Sequence, residues 1–141
     1  MRRLFALSVV CVGLSLQGCM SPMPAPDPQM AWIELTMVSG KVIMAERLDG
    51  VNWADGRYFQ VKPGAHDLMV RFDFEIYGGV GGPFNLWDDE RLCYLNVRYD
   101  SFKAGEHYRL QARSLGLQPM AWLYDSHGQK VAEDSEIHCM P

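Results

Sequence analysis

The chain has 141 residues, 48% of them hydrophobic and 21% charged, a balance that supports one globular unit rather than a disordered or fibrous chain. Its formal charge is −4 and its pI is near 5.5, with no basic patch, which argues against nucleic acid as a partner.

Met1-Arg2-Arg3 opens the chain with positive charge, and Leu4 to Leu16 is then apolar apart from Ser8, Gly13 and Ser15. A basic start, a short apolar run and a small residue before a cut describe a secretory signal; the run is too short for a lasting bilayer-spanning helix. Leu16-Gln17-Gly18-Cys19 resembles the lipobox of bacterial lipoproteins, with Leu three residues before the Cys and a small residue directly before it. Gln17 stands where that family usually carries a small or β-branched residue. The resemblance implies removal of residues 1–18, a diacylglycerol on the Cys19 thiol and acylation of the new amine. Cys19 would then hold the protein to a lipid bilayer, because two or three acyl chains at about 0.8 kcal/mol per buried CH₂ anchor where one is marginal. Met20 follows the Cys where retained enterobacterial lipoproteins carry Asp, which implies the periplasmic side of the outer membrane.

Residues 19–30 read as a tether. Pro22, Pro24, Pro26 and Pro28 disfavour helix and sheet and favour an extended, semi-rigid chain. Loss of Arg2 and Arg3 leaves 11 basic residues against 17 acidic ones, a mature charge of −6. An acidic domain is not drawn to an anionic surface, so the lipid must do the anchoring.

Residues 31–141 carry strand patterning. Trp32–Val38 alternates Ile33, Leu35 and Met37 against Trp32, Glu34 and Thr36, and Met37 is expected to fill a gap in the core. Val42–Leu48 is a second strand, weakened at Ala45-Glu46-Arg47. Asp49-Gly50 and Asp55-Gly56 are turn dipeptides, and Val51 and Trp53 between them are expected to cap the core. Phe59 and Val61 then alternate before Pro63-Gly64. Leu68, Val70, Phe72, Phe74 and Ile76 alternate after it against Asp67, Met69, Arg71, Asp73 and Glu75. This predicts a hairpin with a loop of about four residues at Pro63-Gly64, and places His66 at the rim of the buried row. Gly78 to Glu90 is a glycine-rich loop. Cys93, Leu95, Val97 and Tyr99 oppose Leu92, Tyr94, Asn96 and Arg98, and Tyr108, Leu110 and Ala112 oppose His107, Arg109, Gln111 and Arg113. A last hairpin surrounds Asp125-Ser126-His127-Gly128. The expectation is an all-β fold, an antiparallel sandwich of about seven or eight short strands; a small barrel is the other arrangement of such hairpins.

Val61-Lys62-Pro63-Gly64-Ala65-His66-Asp67-Leu68-Met69-Val70 resembles the hairpin of PEGA-like bacterial surface domains, and Leu48-Asp49-Gly50 fits their turn. Phe102-Lys103-Ala104-Gly105-Glu106-His107-Tyr108-Arg109-Leu110 resembles a segment of small uncharacterised bacterial lipoproteins. These likenesses imply a sandwich-type fold and no functional residue.

Of the four cysteines, Cys11 leaves with the signal and Cys19 is taken by lipid, so Cys93 and Cys139 remain as an even pair in an exported domain. A structural disulfide is the reading, since no C-x-x-C spacing supports a redox or metal pair. His66, His107, His127 and His138 lack metal-ligand spacing, no G-x-S-x-G elbow occurs, and the glycine-rich loop lacks a P-loop ending. Asp88, Asp89 and Glu90 read as a solvated loop rim. Neither a catalytic set, a resident metal nor a cofactor is expected. Phe84, Leu86 and Trp87 mark a candidate interaction loop. The function these features imply is a non-enzymatic envelope interaction or accessory module, with an envelope protein or the cell wall as partner. The alternative is a periplasmic binder of cell-wall glycan or of copper, the latter through the soft thioethers of Met20, Met23 and Met30.

Overall fold

In the computed structural model, residues 21–38, 41–76 and 89–141 are described. They form β1 (Ala31–Thr36), β2 (Lys41–Leu48), β3 (Val51–Asn52), β4 (Tyr58–Val61), β5 (Gly64–Ile76), β6 (Asp89–Phe102), β7 (His107–Leu115), β8 (Gln118–Tyr124) and β9 (Lys130–Cys139). The fold is all-β. Hydrogen bonding runs through one continuous mixed sheet of nine strands, in the order β3-β2-β5-β6-β9-β8-β7-β1-β4. The long β9 joins the two halves, pairing with β6 through its C-terminal part and with β8 through its N-terminal part. All pairings are antiparallel except β1 with β7, which is parallel and sets Ile33 beside Tyr108 and Leu35 beside Leu110.

The sheet has to curl. The edge strands β3 and β4 are joined only by Trp53–Arg57. A flat sheet of this width would separate its edges by about 38 Å, whereas that linker reaches at most about 20 Å. Both halves therefore project into one core: Ile43, Phe59, Leu68, Phe72, Phe74, Leu95, Leu110 and Leu123 belong to a single buried cluster. Burial of each such side chain contributes roughly 1.5–3 kcal/mol.

The inward rows of β5, β6 and β7 are those the alternation predicts. The hairpin at Pro63-Gly64 is not formed. β4 pairs with β1, while β5 pairs with β2 on one side and β6 on the other. Lys62-Pro63 is instead a corner by which the chain passes from one sheet edge into the sheet's other half. Gly64 takes φ 121° there, a conformation that favours glycine. His66 holds the corner: its Nδ1 lies 2.7 Å from Asp49 Oδ2 and its Nε2 2.8 Å from the Lys62 carbonyl. The ring thereby ties the Asp49 turn to the Lys62 backbone.

Asp49 (φ 51°) and Gly50 (φ 79°) form a two-residue turn between the paired Leu48 and Val51, the backbone that a type I′ hairpin requires. The Asp49 carboxylate also accepts the Asp67 backbone N–H at 2.9 Å. Burial raises the Asp49 carboxyl, but the bonds from Asp67 and His66 outweigh it and hold the group below its ordinary range. Stability from a depressed carboxyl is present above its unfolded value and is lost as pH falls through the folded one. Asp49→Asn keeps a residue that tolerates the left-handed turn. It is expected to lower stability by only about 0.5–1 kcal/mol near neutral pH, because the half-exposed carboxylate is screened. Urea titrations from neutral pH down to the acid limb should show a flatter acid-side loss than in the parent.

Three apolar residues depart from expectation. Met37 and Val51 are exposed rather than filling or capping the core. Met37 falls after the last paired residue of β1, and the two-residue β3 is an outer edge. Trp32, on the outward row, is only 8% exposed. It stacks on Tyr58 at 4.2 Å, a diagonal cross-strand neighbour. Trp53 does cap the core, packing against Phe59 and donating from its indole to the Tyr58 carbonyl at 2.7 Å.

The proline segment is docked on the domain. Arg57 donates to the Ser21 carbonyl at 2.9 Å, Asp27 N–H to Gln60 Oε1 at 3.1 Å, and Gly105 N–H to the Met30 carbonyl at 2.9 Å.

Candidate functional site

The outer face of β2, β5, β6 and β9 carries a groove of about 330 Å³ lined by Glu46, Arg47, Met69, Tyr94, Asn96, Glu136 and His138. Its floor follows from register: Met69 lies beside Asn96, and Tyr94 is next but one on the same strand. One wall follows from β9, where His138 faces Tyr94 and Glu136 faces Asn96. The other wall is a β-bulge between Ala45 and Arg47. An extra residue in one strand re-aims the side chains around it, and here both Glu46 and Arg47 line the groove. The backbone groups at the bulge are not orphaned: Ala45 N–H donates to the Gly56 carbonyl at 2.8 Å, and Trp53 N–H donates to the Glu46 carbonyl at 2.9 Å.

Carboxylates on opposite walls, a guanidinium, an amide and a half-buried phenol ring give the groove donors and acceptors around an aromatic surface. Asn96 Nδ2 donates to Glu136 at 3.4 Å while its Oδ1 has no protein partner. Farther along the same face Asp67 neighbours Arg98 in register. Burial raises its carboxyl; Arg98 opposes the shift, and Asp49 and Glu136 add to it. Toward the other end Asp73 is buried under the Arg71 guanidinium, whose Nη2 lies 3.0 Å from Asp73 Oδ2. This platform can hold a small polar ligand by hydrogen bonds with a ring beneath it.

Cys93 and Cys139 are directly opposite on β6 and β9 and form the expected disulfide. Met140 N–H donates to the Leu92 carbonyl at 2.9 Å. That makes 92 and 140 the hydrogen-bonded pair and 93 and 139 the closer, non-hydrogen-bonded pair. Cys19 and the interaction-loop residues Phe84, Leu86 and Trp87 lie outside the described residues, as does Asp88. Glu90 is exposed opposite Glu75. The histidines serve different places: His66 at the corner, His107 opening β7, His127 in the β8–β9 turn and His138 in the groove. Among the described residues no group of three or more His, Cys, Asp and Glu is disposed to hold a metal ion.

Sequence reasoning missed the groove. Tyr94 and Asn96 read as a wet face, and Glu46-Arg47 read only as a weakness in β2. The available signal was the large side chains Met69 and Tyr94 on rows assigned to solvent. Comparison with family models, with curated proteins and with solved structures gives no match.

Proposed function

We propose that this chain is a lipid-anchored envelope protein on the periplasmic side of the outer membrane, acting as a non-enzymatic interaction module. The observation that carries this reading is Leu16-Gln17-Gly18-Cys19 at the end of a basic, then apolar, leader. The disulfide supports it, since such bonds persist in oxidising compartments. The test is metabolic labelling with an alkyne fatty acid in a bacterial host. Labelled parent protein in the membrane fraction and unlabelled, soluble Cys19→Ser protein are expected; unlabelled parent protein would refute the anchor.

The groove favours a second reading, recognition of a cell-wall glycan. Sugars present hydroxyls to carboxylate, amide and guanidinium groups and a flat apolar face to a ring, and Glu46, Arg47, Asn96, Glu136 and Tyr94 supply that set. Copper fits less well: the Met30 sulfur accepts from Gln60 Nε2 at 3.6 Å and is turned to the domain surface. Calorimetric titration of the purified protein with muropeptide fragments is expected to show binding that Tyr94→Ala weakens about tenfold, as loss of a ring contact of ~1.4 kcal/mol requires. Flat titrations with the parent protein would end this reading.

A further inference from the structure

Among the described residues, three of the four most exposed large apolar side chains lie at one end of the sheet; the fourth, Val51, sits on the β3 edge. Leu115 is 75% exposed, Met37 66% and Leu117 54%. β1 and β7 run parallel, with Thr36 beside Gln111, so Met37 just past β1 and the turn after β7 leave the sheet in the same direction. Leu115 pairs with Gln118 across that turn, which makes Gly116 and Leu117 its two central residues. Gly116 at φ 59° supplies the positive φ of a type II′ first position. The second position accepts a polar residue equally well, so folding does not require leucine at 117. Leu115 continues the outward row of His107, Arg109, Gln111 and Arg113, in which every other member is polar. Two leucines at the tip of an otherwise polar row point to a contact.

The docked N-terminal segment indicates what is contacted. Met30 is held beside the start of β1, Asp27 at Gln60 and Ser21 at Arg57. β4 runs antiparallel to β1, so these contacts progress from the start of β1 toward its end. The segment from Met30 back to Ser21 therefore runs toward the end that carries Leu115 and Leu117. Only Met20 lies between Ser21 and Cys19, and two residue steps reach at most about 7 Å. Basic groups flank the tip: Lys41 Nζ donates to the Ser114 carbonyl at 3.3 Å, and the Arg113 guanidinium lies 5.9 Å from the Trp122 ring centroid. Glu75 opposite Glu90 at the same end, and the net acidity of the chain, favour a zwitterionic leaflet over an anionic one.

We infer that the Leu115–Leu117 tip, with Met37, is a membrane-contact surface that enters the interface of the bilayer holding acylated Cys19. The inference rests on the lipoprotein reading above. It gives the domain a fixed orientation, with its Leu115 end against the bilayer, instead of letting it swing on a free linker.

The test uses the mature lipoprotein reconstituted in phosphatidylcholine vesicles containing a shallow lipid-borne quencher. Cys93 and Cys139 are bonded and Cys19 is acylated, so a fluorophore can be placed on Gln118→Cys or, at the opposite end, on Ser126→Cys. In protein that floats with vesicles, quenching at 118 is expected to exceed that at 126 by about threefold, the contrast between a group seated in the interface and one in water. It is expected to fall to the 126 level in the Leu115→Asp/Leu117→Asp background. Equal quenching at the two sites in floated protein overturns the contact surface while leaving the anchor intact. An excess at 118 that survives the double substitution also overturns it, because the leucines then contribute nothing. Protein that fails to float overturns the anchor reading and this inference with it.

Discussion

Replacing Cys93 and Cys139 together with alanine is expected to destabilise the domain by about 4 kcal/mol, the chain-entropy figure for a loop of this size. The bond spans a sequence separation of 46 residues and links β6 to the last residue of β9. Its position makes the loss more than local. β9 is the strand through which the two halves of the sheet are hydrogen-bonded, and its C-terminal part is largely exposed. Burial alone holds that part weakly, so the crosslink secures the joint. Thermal unfolding should show a midpoint lowered by roughly 15 °C. Hydrogen exchange should show the largest loss of protection at residues 134–139. A double variant within about 1 kcal/mol of the parent would mean that the β6–β9 ladder holds the joint by itself.

Phe72→Ala should cost a similar amount, about 4 kcal/mol, by the lost burial and the cavity left behind. Phe72 is 1% exposed at the middle of β5, with Ile43 of β2 beside it on one strand and Cys93 of β6 on the other. Its ring stacks on Phe74 with centroids 5.1 Å apart. Urea unfolding is the measurement; the midpoint should fall with an unchanged slope. Phe72→Leu, which keeps most of the volume, should cost only about 1–1.5 kcal/mol. Phe72 and Cys93 are register partners, so the triple variant should depart from additivity by about 0.5 kcal/mol or more. Strict additivity would place the disulfide and the aromatic core in separate cooperative units.

Alternation of apolar and polar residues placed β5, β6 and β7 and their inward rows, because a strand's two faces are set by a period of two within one stretch of chain. Asp49-Gly50 was legible for the same local reason: the two residues that tolerate positive φ stand side by side. The weakness at Ala45-Glu46-Arg47 was visible, but its meaning was not, since a bulge exists only relative to a partner strand. Pairing is where local reasoning stopped. Pro63-Gly64 looks like a hairpin turn from either side, yet β4 and β5 face the same core from different halves of the sheet. The parallel β1–β7 contact joins strands separated by most of the domain, and nothing near Ile33 or Leu110 announces it.

The candidate sites divide in the same way. The proposed leader and acylation signal, like the cysteine pair, are short-range or compositional features, and the sequence by itself determined an all-β chain crosslinked through Cys93 and Cys139. The groove between Glu46-Arg47 and Glu136-His138 depends on four strands brought side by side, and the path of Ser21–Met30 depends on partners at Arg57, Gln60 and Gly105. Only the tertiary structure decided those, because each depends on long-range closure driven by burial of one shared core, and burial is non-directional until the strands have chosen their neighbours.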